Sequence, residues 1–204
     1  MTALGNTASG GFGRVRWRRF AIIMIPATAL AVMLIMLSTQ AVLAVSISIS
    51  GEPFTVTAGR LKGLGFEQFP VVDHSGSSGE PGKSGQFTLE ATAIRSAKIT
   101  DLCQSVRILG LSMVIKAGGG GTPVSATDLV VDADRFSGNA SFTHLTQGQD
   151  ASTLNEVPGI KGPAGAFALA ASTVTITDLK QHAYATTAGT FTLPGFSLHF
   201  GGSC

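Results

Sequence analysis

Serine and histidine are the residues of this chain from which hydrolytic chemistry would be built. A serine hydrolase of the common type places its nucleophile within Gly-x-Ser-x-Gly at a sharp turn. No serine here has glycine at both flanking second positions. Ser77 and Ser78 come nearest, and His74 is close to them in the sequence, but the segment is polar and flexible and cannot preorganise an oxyanion hole. The sequence therefore predicts no catalytic residue.

Metal-binding chemistry has equally weak support in the sequence. The chain has four histidines, His74, His144, His182 and His199. They lack the His-x-His or His-x-x-x-His spacing of a metal site, so we predict no metal and no cofactor. Asp132 and Asp134 share one face of a predicted strand, where they would either help to hold Ca²⁺ or stand as solvated acids, the commoner case. The aspartates of three Thr-Asp-Leu triplets are expected to cap turns or pair with basic residues (Asp101, Asp128 and Asp178).

The two cysteines, Cys103 and Cys204, both follow the apolar N-terminal segment. Outside the cytosol a pair of thiols most simply forms a disulfide. A metal site or a nucleophilic cysteine would need partners with suitable spacing, and none is visible. We therefore predict an intramolecular disulfide that ties the C-terminus to the second of the repeated units described below.

The elements that would position these residues begin with an N-terminal membrane segment. Four arginines stand within residues 14–19, and the eighteen residues 20–37 carry no charge, which is about the length of a membrane-spanning helix. The arginines hold their end in the cytoplasm, so the rest of the chain is exported. We divide the chain into a basic region (1–19), a transmembrane or signal segment (20–45) and an exported domain (46–204). Cleavage after Ala44 and retention as an anchor both remain open.

The exported domain has a composition typical of β-structure. It holds ten basic and twelve acidic residues, because four of the fourteen basic residues precede the membrane segment. It has no basic patch, which argues against nucleic-acid binding. Its wealth of Ala, Gly, Thr, Ser and Val favours strands and turns over helices.

A weak repeat, apolar-x-Ala-x-x-apolar, recurs four times in this domain. Phenylalanine stands two positions before three of the copies (Phe54, Phe87 and Phe167). The pattern indicates strands with Phe, Val or Leu and Ala pointing inward, followed by a phase shift such as a bend or β-bulge produces. The copies begin at Val56, Leu89, Val124 and Leu169.

Three polar or glycine-rich loops are expected between these units, at residues 70–86, 117–123 and 147–165. The last of them has little apolar content to bury. The glycine run 118–121 lacks the Lys-Ser/Thr of a phosphate loop and is predicted to be a linker or turn. Phe196, Leu198 and Phe200 alternate with Ser197 and His199, which predicts a half-buried closing strand.

Several longer motifs remain in the exported domain: Phe54-x-Val-x-Ala58-x-x-Leu61-x-Gly63-x-Gly65-Phe66, residues 102–105, 148–152 and 175–181, and Ala188-Gly-Thr-Phe-x-Leu-Pro-Gly195. With these motifs the chain resembles an uncharacterised family of exported actinobacterial proteins, common in streptomycetes, whose members often carry the label cholesterol esterase. The resemblance covers nearly the whole chain and implies the N-terminal membrane segment and the two cysteines. It implies no catalytic residues, and the missing Gly-x-Ser-x-Gly argues against the esterase label.

We expect an all-β fold: an N-terminal transmembrane or signal helix followed by one β-sandwich or irregular β-solenoid. The expected function is that of a non-enzymatic cell-envelope protein, held at the membrane through residues 20–45 or secreted, which binds an apolar ligand or a membrane partner. A lipid or sterol esterase is the alternative.

Overall fold

The computed structural model of this protein describes residues 24, 52–74 and 86–204. Apart from Met24, which is helical, every described residue belongs to the compact unit Ser46–Cys204. The rest of the predicted transmembrane or signal segment, residues 20–45, lies outside the described residues. Among the residues that are described, no helix is both long and apolar enough to span a lipid bilayer.

The domain is almost entirely antiparallel β-structure, which confirms the predicted all-β class. The described residues form one sheet of nine strands and a single 3₁₀ turn, Ala151–Thr153. The strands are β1 (Phe54–His74), β2 (Gln86–Thr100), β3 (Leu102–Ile108), β4 (Leu111–Ala117), β5 (Val124–Thr143), β6 (Thr146–Asp150), β7 (Phe167–Thr187), β8 (Thr190–Thr192) and β9 (Ser197–Phe200).

Four long strands pair in a closed cycle, which we call the ring. β1 pairs with β2, β2 with β5, β5 with β7, and β7 returns to β1. The main hydrophobic core lies among these strands, with Phe66, Ile94, Val174 and Ile176 almost fully buried. Where the sequence left a sandwich and a solenoid open, the pairing instead gives one sheet closed on itself.

Three short strands extend the sheet beyond the ring, and we call them the wing. β3 pairs with the first residues of β1, β4 pairs with β3, and β9 pairs with β4 as the outermost strand. β6 and β8 are short edge strands, added to β7 and β5 respectively. The short outer strands limit the amount of unpaired edge that could recruit another chain.

The four copies of the sequence repeat fall on the four ring strands. In the first and third copies the first apolar residue and the alanine point into the main core, as does Ala171 of the fourth copy, whose Leu169 is only partly buried. In the second copy, Leu89 and Ala91 are buried outside that core, and Ala91 packs in one cluster with Phe69. The accompanying phenylalanines behave less uniformly than expected. Phe54 is partly buried, but Phe167 is 60% exposed, because it stands at the very start of β7 opposite the short strand β6.

Phase shifts of the predicted kind occur at the three Thr-Asp-Leu triplets, although the repeat placed them between the alanine and the second apolar residue of each copy, where only Asp128 lies. Each aspartate has a left-handed backbone conformation, with φ of 54° at Asp101, 48° at Asp128 and 56° at Asp178. In each case a buried residue precedes the Thr-Asp pair and a buried leucine follows it. An extra residue in the left-handed region is how a β-bulge keeps an apolar face inward while the strand bends.

These aspartates therefore lie within the sheet, where the sequence had suggested turn caps. Asp101 separates β2 from β3, and thus the ring from the wing. β5 pairs with β2 on one side. On its other side it pairs with β8 before Asp128 and with β7 after it. Asp178 faces a register shift in β5 and accepts a hydrogen bond from the Asn139 side chain at 3.1 Å. Aspartate suits these sites because it tolerates the left-handed region better than most residues.

A loop of residues 151–166, here named the cover loop, packs on the outer face of β1. Leu154 and Val157 are completely buried, and Leu154 packs in one cluster with Phe69. The expectation that this segment has little apolar content to bury was wrong, because these few apolar residues all point to the sheet. Of the other predicted loops, residues 117–123 form the turn between β4 and β5, while 70–74 continue β1.

The bulges make a testable prediction at Asp178. Asp178→Val places a β-branched residue at a positive φ and removes the bond from Asn139, so we expect a loss of about 2 kcal/mol in the free energy of unfolding. Asp178→Asn, which tolerates this backbone, should remain close to the wild type. Lys180→Val is the matched control, an exposed residue two positions along the same strand. Chemical denaturation followed by circular dichroism measures all three, and equal stability of both valine variants would contradict the assignment.

Candidate functional site

One side of the wing is apolar and uncovered. Residues directly opposite each other in antiparallel strands share a face, so the strand register assigns each side chain to a side. Besides Gln104 and the buried pair Leu102 and Ala117, the side shared with the ring interior carries eight apolar residues. We call these residues the wing face: Phe54, Val106, Ile108, Leu111, Met113, Ile115, Leu198 and Phe200.

The wing face is exposed most strongly at its outer end. Leu111 is 63% exposed and Phe200 is 68% exposed. An open groove of about 240 Å³ runs along the inner part, between Phe54, Met113 and Tyr184. The closing strand, predicted to be half-buried, is exposed at all four residues, because it is the edge strand and nothing among the described residues lies over its apolar side.

The opposite side of the wing is covered by the end of the chain. After β9, Gly201 continues the pairing with β4 by donating its backbone N–H to the Ser112 carbonyl, and Cys204 returns to β3, where it donates its backbone N–H to the Ser105 hydroxyl. Val114, on the same side as Ser105, is buried to 1% exposure. The C-terminal residues thus protect this side of the sheet and leave the wing face open.

Cys103 and Cys204 lie at disulfide distance, with 2.10 Å between their sulfurs and 5.7 Å between their Cα atoms. The closing strand, however, pairs with β4, and only the last residues return across it to β3. A bond between the two cysteines therefore fastens the C-terminal residues over one side of the wing.

The turn between β3 and β4 is formed by two left-handed residues, Leu109 at φ 50° and Gly110 at φ 81°. Two-residue hairpins of this kind normally carry Asn-Gly or Asp-Gly, because both positions need positive φ. Leu109 is 98% exposed and stands between Ile108 and Leu111. The end of the wing is therefore an apolar tip, which we call the hairpin tip (residues 108–111).

The centre of the ring leaves little room for a ligand, whereas an open pocket of about 520 Å³ lies beside Gln68, Glu90 and Phe167. The central cavity measures about 30 Å³ and is lined mainly by aliphatic residues, with Thr92, Gln104, Gln181 and Thr186 as polar members. The Thr186 hydroxyl is buried without a hydrogen-bond partner among the described residues. A cavity of this size fits a water molecule or two, whereas small-molecule sites measure about 300–1,000 Å³.

Glu67 is a buried carboxylate that sequence reasoning missed. Its side chain is completely buried beneath the cover loop, where Oε1 accepts the Val157 backbone N–H at 3.0 Å. Burial raises the pKa of Glu67, and the nearby Glu156 acts in the same direction, while the backbone N–H donors and Lys161 oppose it. The alternation of β1 indicates that residue 67 lies opposite Phe66, but nothing in the sequence shows that a loop 90 residues away covers it.

Asp150 organises the start of the cover loop. Its carboxylate accepts the Ser152 backbone N–H and hydroxyl and the Gly165 backbone N–H, each at 2.9 Å. These bonds, first of all the one from the Ser152 backbone, lower the pKa of Asp150. Together with the Ala151–Ala166 backbone bond, they hold the two ends of the loop together. The loop is thus a fixed part of the outer surface of the domain.

The structure brings together one histidine and one carboxylate. His182 Nδ1 lies 2.7 Å from Asp134 Oδ1, both side chains are about one-third exposed, and Tyr184 packs edge-on against the imidazole. This pair resembles the base and orienting acid of a hydrolase. Among the described residues no hydroxyl is hydrogen-bonded to the imidazole, so the nucleophile of such a site is missing from this part of the chain.

The other candidate residues remain dispersed. His144 stands at the β5–β6 turn and His199 on β9, whereas Ser77 and Ser78 lie outside the described residues, as does the side chain of His74. The described part of the chain holds no cluster of three His, Cys, Asp or Glu residues that could bind a metal ion. Of the Asp132–Asp134 pair, Asp134 is engaged by His182 through Oδ1.

Comparison with protein-family models assigns residues 50–204 to DUF6230, a family of unknown function. The chain belongs to this family. The matched segment begins just before β1 and ends at Cys204, so it includes the ring, the wing and the cover loop of this DUF6230 protein. No curated protein and no solved structure matches the chain.

The cysteine pair gives the first prediction for this site. Because the two residues are 101 positions apart, the chain-entropy model assigns a bond between them about 4–5 kcal/mol. Cys204→Ser should lower the thermal stability and free the C-terminal residues from β3, while the ring stays folded. Ser203→Ala is the control, since it changes the same tail without touching a cysteine. Non-reducing mass spectrometry tests the bond directly, and two free thiols or a dimer linked through Cys204 would contradict it.

The buried Glu67 predicts a pH-dependent stability. Since its pKa is raised in the folded protein, folding favours the protonated carboxyl, and this contribution is lost as pH rises above the ordinary value of 4.5 towards the folded pKa. Glu67→Gln keeps an acceptor for Val157 and cannot ionise. The stability of the wild type relative to this variant should therefore fall with rising pH. Denaturation curves across that range measure it, and a difference that is constant with pH would refute the burial effect.

Proposed function

We propose that this DUF6230 protein is a non-enzymatic envelope protein, attached to the membrane through residues 20–45, that acts through its wing face. The observation that carries the proposal is the wing face itself, one continuous patch of eight apolar residues. Four of them are exposed and the other four are only partly buried (exposed: Ile108, Leu111, Leu198 and Phe200). Patches of this kind on soluble domains mark sites of contact with proteins or membranes.

The proposal favours contact at the surface over an apolar ligand held inside. The ring cavity of about 30 Å³ is an order of magnitude smaller than a site for a sterol or an acyl chain. Two larger spaces both open to solvent. The groove of about 240 Å³ beside Phe54 and Met113 is part of the wing face, and a pocket of about 520 Å³ has Gln68 and Glu90 among its lining residues.

Export and attachment rest on the amino-acid sequence. The cluster of arginines before the uncharged segment 20–37 supports a cytoplasmic N-terminus and an extracytoplasmic domain. Cleavage after Ala44 would give a secreted form of the same domain. A disulfide between Cys103 and Cys204 would fit an oxidising location.

A lipid or sterol esterase is the second candidate, and the His182–Asp134 pair is the observation in its favour. Hydrolysis would also require a serine or threonine hydroxyl beside the imidazole and donors for the oxyanion. The described residues supply no such hydroxyl. We therefore rank the esterase below the binding protein.

Labelling of intact cells tests the location. All six lysines of the chain follow residue 45, so a membrane-impermeant amine reagent reaches them only if the domain is exported. We expect labelling of the protein without lysis and its recovery with the membrane fraction. Labelling that requires lysis would refute the proposed location.

An ester-hydrolysis assay separates the two functions. The purified full-length protein should hydrolyse neither short-chain nor long-chain acyl esters and should not react with an active-site serine probe. The esterase alternative instead predicts turnover that is lost in His182→Ala and kept in the matched variant His199→Ala. That result would overturn the non-enzymatic proposal.

A further inference from the structure

The hairpin tip departs from two local rules at once. Leu109 occupies a left-handed position where Asn or Asp is favoured, and it holds a large apolar side chain at 98% exposure. A leucine at positive φ costs about 1–2 kcal/mol, and its exposure brings no compensating burial within the domain. A leucine that is unfavourable both in this turn conformation and in water indicates a contact made outside the domain.

Leu109 and its exposed neighbours Ile108 and Leu111 form an apolar projection, which we call the wedge. Ile108 is 46% exposed and Leu111 is 63% exposed, and both lie on the wing face. Phe200, opposite Met113, continues the same side towards the edge of the sheet. Arg107, exposed on the other side of β3, provides a cation close to the tip. An apolar wedge beside a cation suits the boundary between acyl chains and anionic headgroups.

The strand directions place this wedge at the end of the domain where β1 begins. β1 is antiparallel to β3, and Phe54, its first residue, pairs with Val106, two positions before Ile108. The start of β1 and the hairpin tip therefore lie at the same end of the wing. Residues 46–53 connect Val45 to Phe54 and reach at most about 30 Å when fully extended. A segment spanning the bilayer up to residue 45 would keep the tip near the lipid surface.

We infer that the hairpin tip and the adjoining end of the wing face dock on the lipid bilayer that anchors the chain, with Leu109 inserted among the acyl chains. This inference rests on the proposed membrane attachment and adds the surface through which the domain meets the lipid. The docking orients the domain and covers apolar side chains that the fold leaves open. Burial of Leu109 in lipid offsets the strain of its backbone.

Fluorescence quenching by brominated lipid tests the insertion. The full-length chain with Trp17→Phe has no other tryptophan, so Leu109→Trp introduces a single reporter at the tip. The control is Val72→Trp, since Val72 is 59% exposed and lies eighteen residues farther along β1 than Phe54. Both proteins are reconstituted into vesicles of phosphatidylcholine and phosphatidylglycerol with brominated acyl chains.

We expect blue-shifted emission and quenching several-fold stronger at position 109 than at position 72. Equal, weak quenching at both positions would overturn the inference. Blue-shifted emission that brominated lipid does not quench, together with cross-linked dimers, would also overturn it and identify a second copy as the occupant. Failure of the protein to float with the vesicles would contradict the proposed membrane attachment, whereas flotation without quenching contradicts only the docking.

A second variant separates docking from folding. Leu109→Asn restores favourable turn chemistry, so the thermal stability should be unchanged or higher. With Leu111→Trp as the reporter, the same substitution should weaken quenching, because the wedge has lost its apical side chain. Unchanged quenching would show that Leu109 does not insert.

Discussion

The closed pairing of β1, β2, β5 and β7 is the constraint on which the rest of the structure depends. Each of these strands finds partners on both sides within the cycle, so the core is enclosed by hydrogen-bonded backbone without help from helices. Long strands can close in this way only if they bend while keeping their apolar residues inside. The bulges at Asp101, Asp128 and Asp178 provide those bends, and each one lies where a strand changes its neighbours or its register.

The wing follows from the same geometry. At Asp101 the chain leaves the ring. β3 extends the sheet outside the closed cycle of strands, so the side of the sheet that faces inward in the ring is not covered there by other ring strands. The C-terminal residues, ending at Cys204, cover one side of this extension, and the other side keeps the apolar character of the ring interior. The proposed contact surface is thus the uncovered continuation of the core, and the hairpin tip is its outermost point.

The sequence predicted the elements that are periodic and local. The alternation around Val56, Leu89, Val124 and Leu169 located the four ring strands, and the shift after each alanine indicated bends. The bulges at Asp101 and Asp178 were not predicted, because these aspartates were expected to cap turns or pair with basic residues, and only Asp128 lies where a shift was expected. The β-class required no more than composition and these patterns.

The remaining features depend on contacts between distant parts of the chain, which periodicity does not encode. Ring closure depends on β7 pairing with β1, more than a hundred residues apart, and Glu67 is buried by a loop 90 residues away. The closing strand was predicted to be half-buried because its alternation is regular, yet its position at the sheet edge decides its exposure. The apolar run Ile108-Leu109-Gly110-Leu111 of the hairpin tip can be seen in the sequence. That it forms an exposed apolar turn follows only from the positive φ of Leu109 and its exposure.

Hydrogen–deuterium exchange of the full-length protein tests the central claim most directly, namely that one apolar sheet face is enclosed in the ring and completed by lipid on the wing. Exchange in lipid nanodiscs is compared with exchange in an amphipathic polymer that offers no bilayer surface. The account predicts that the amides of the ring strands exchange slowest and equally in both, while β9 and residues 108–111 are more protected in nanodiscs. Ring strands that exchange as fast as the wing, or a wing that exchanges equally in both environments, would contradict it.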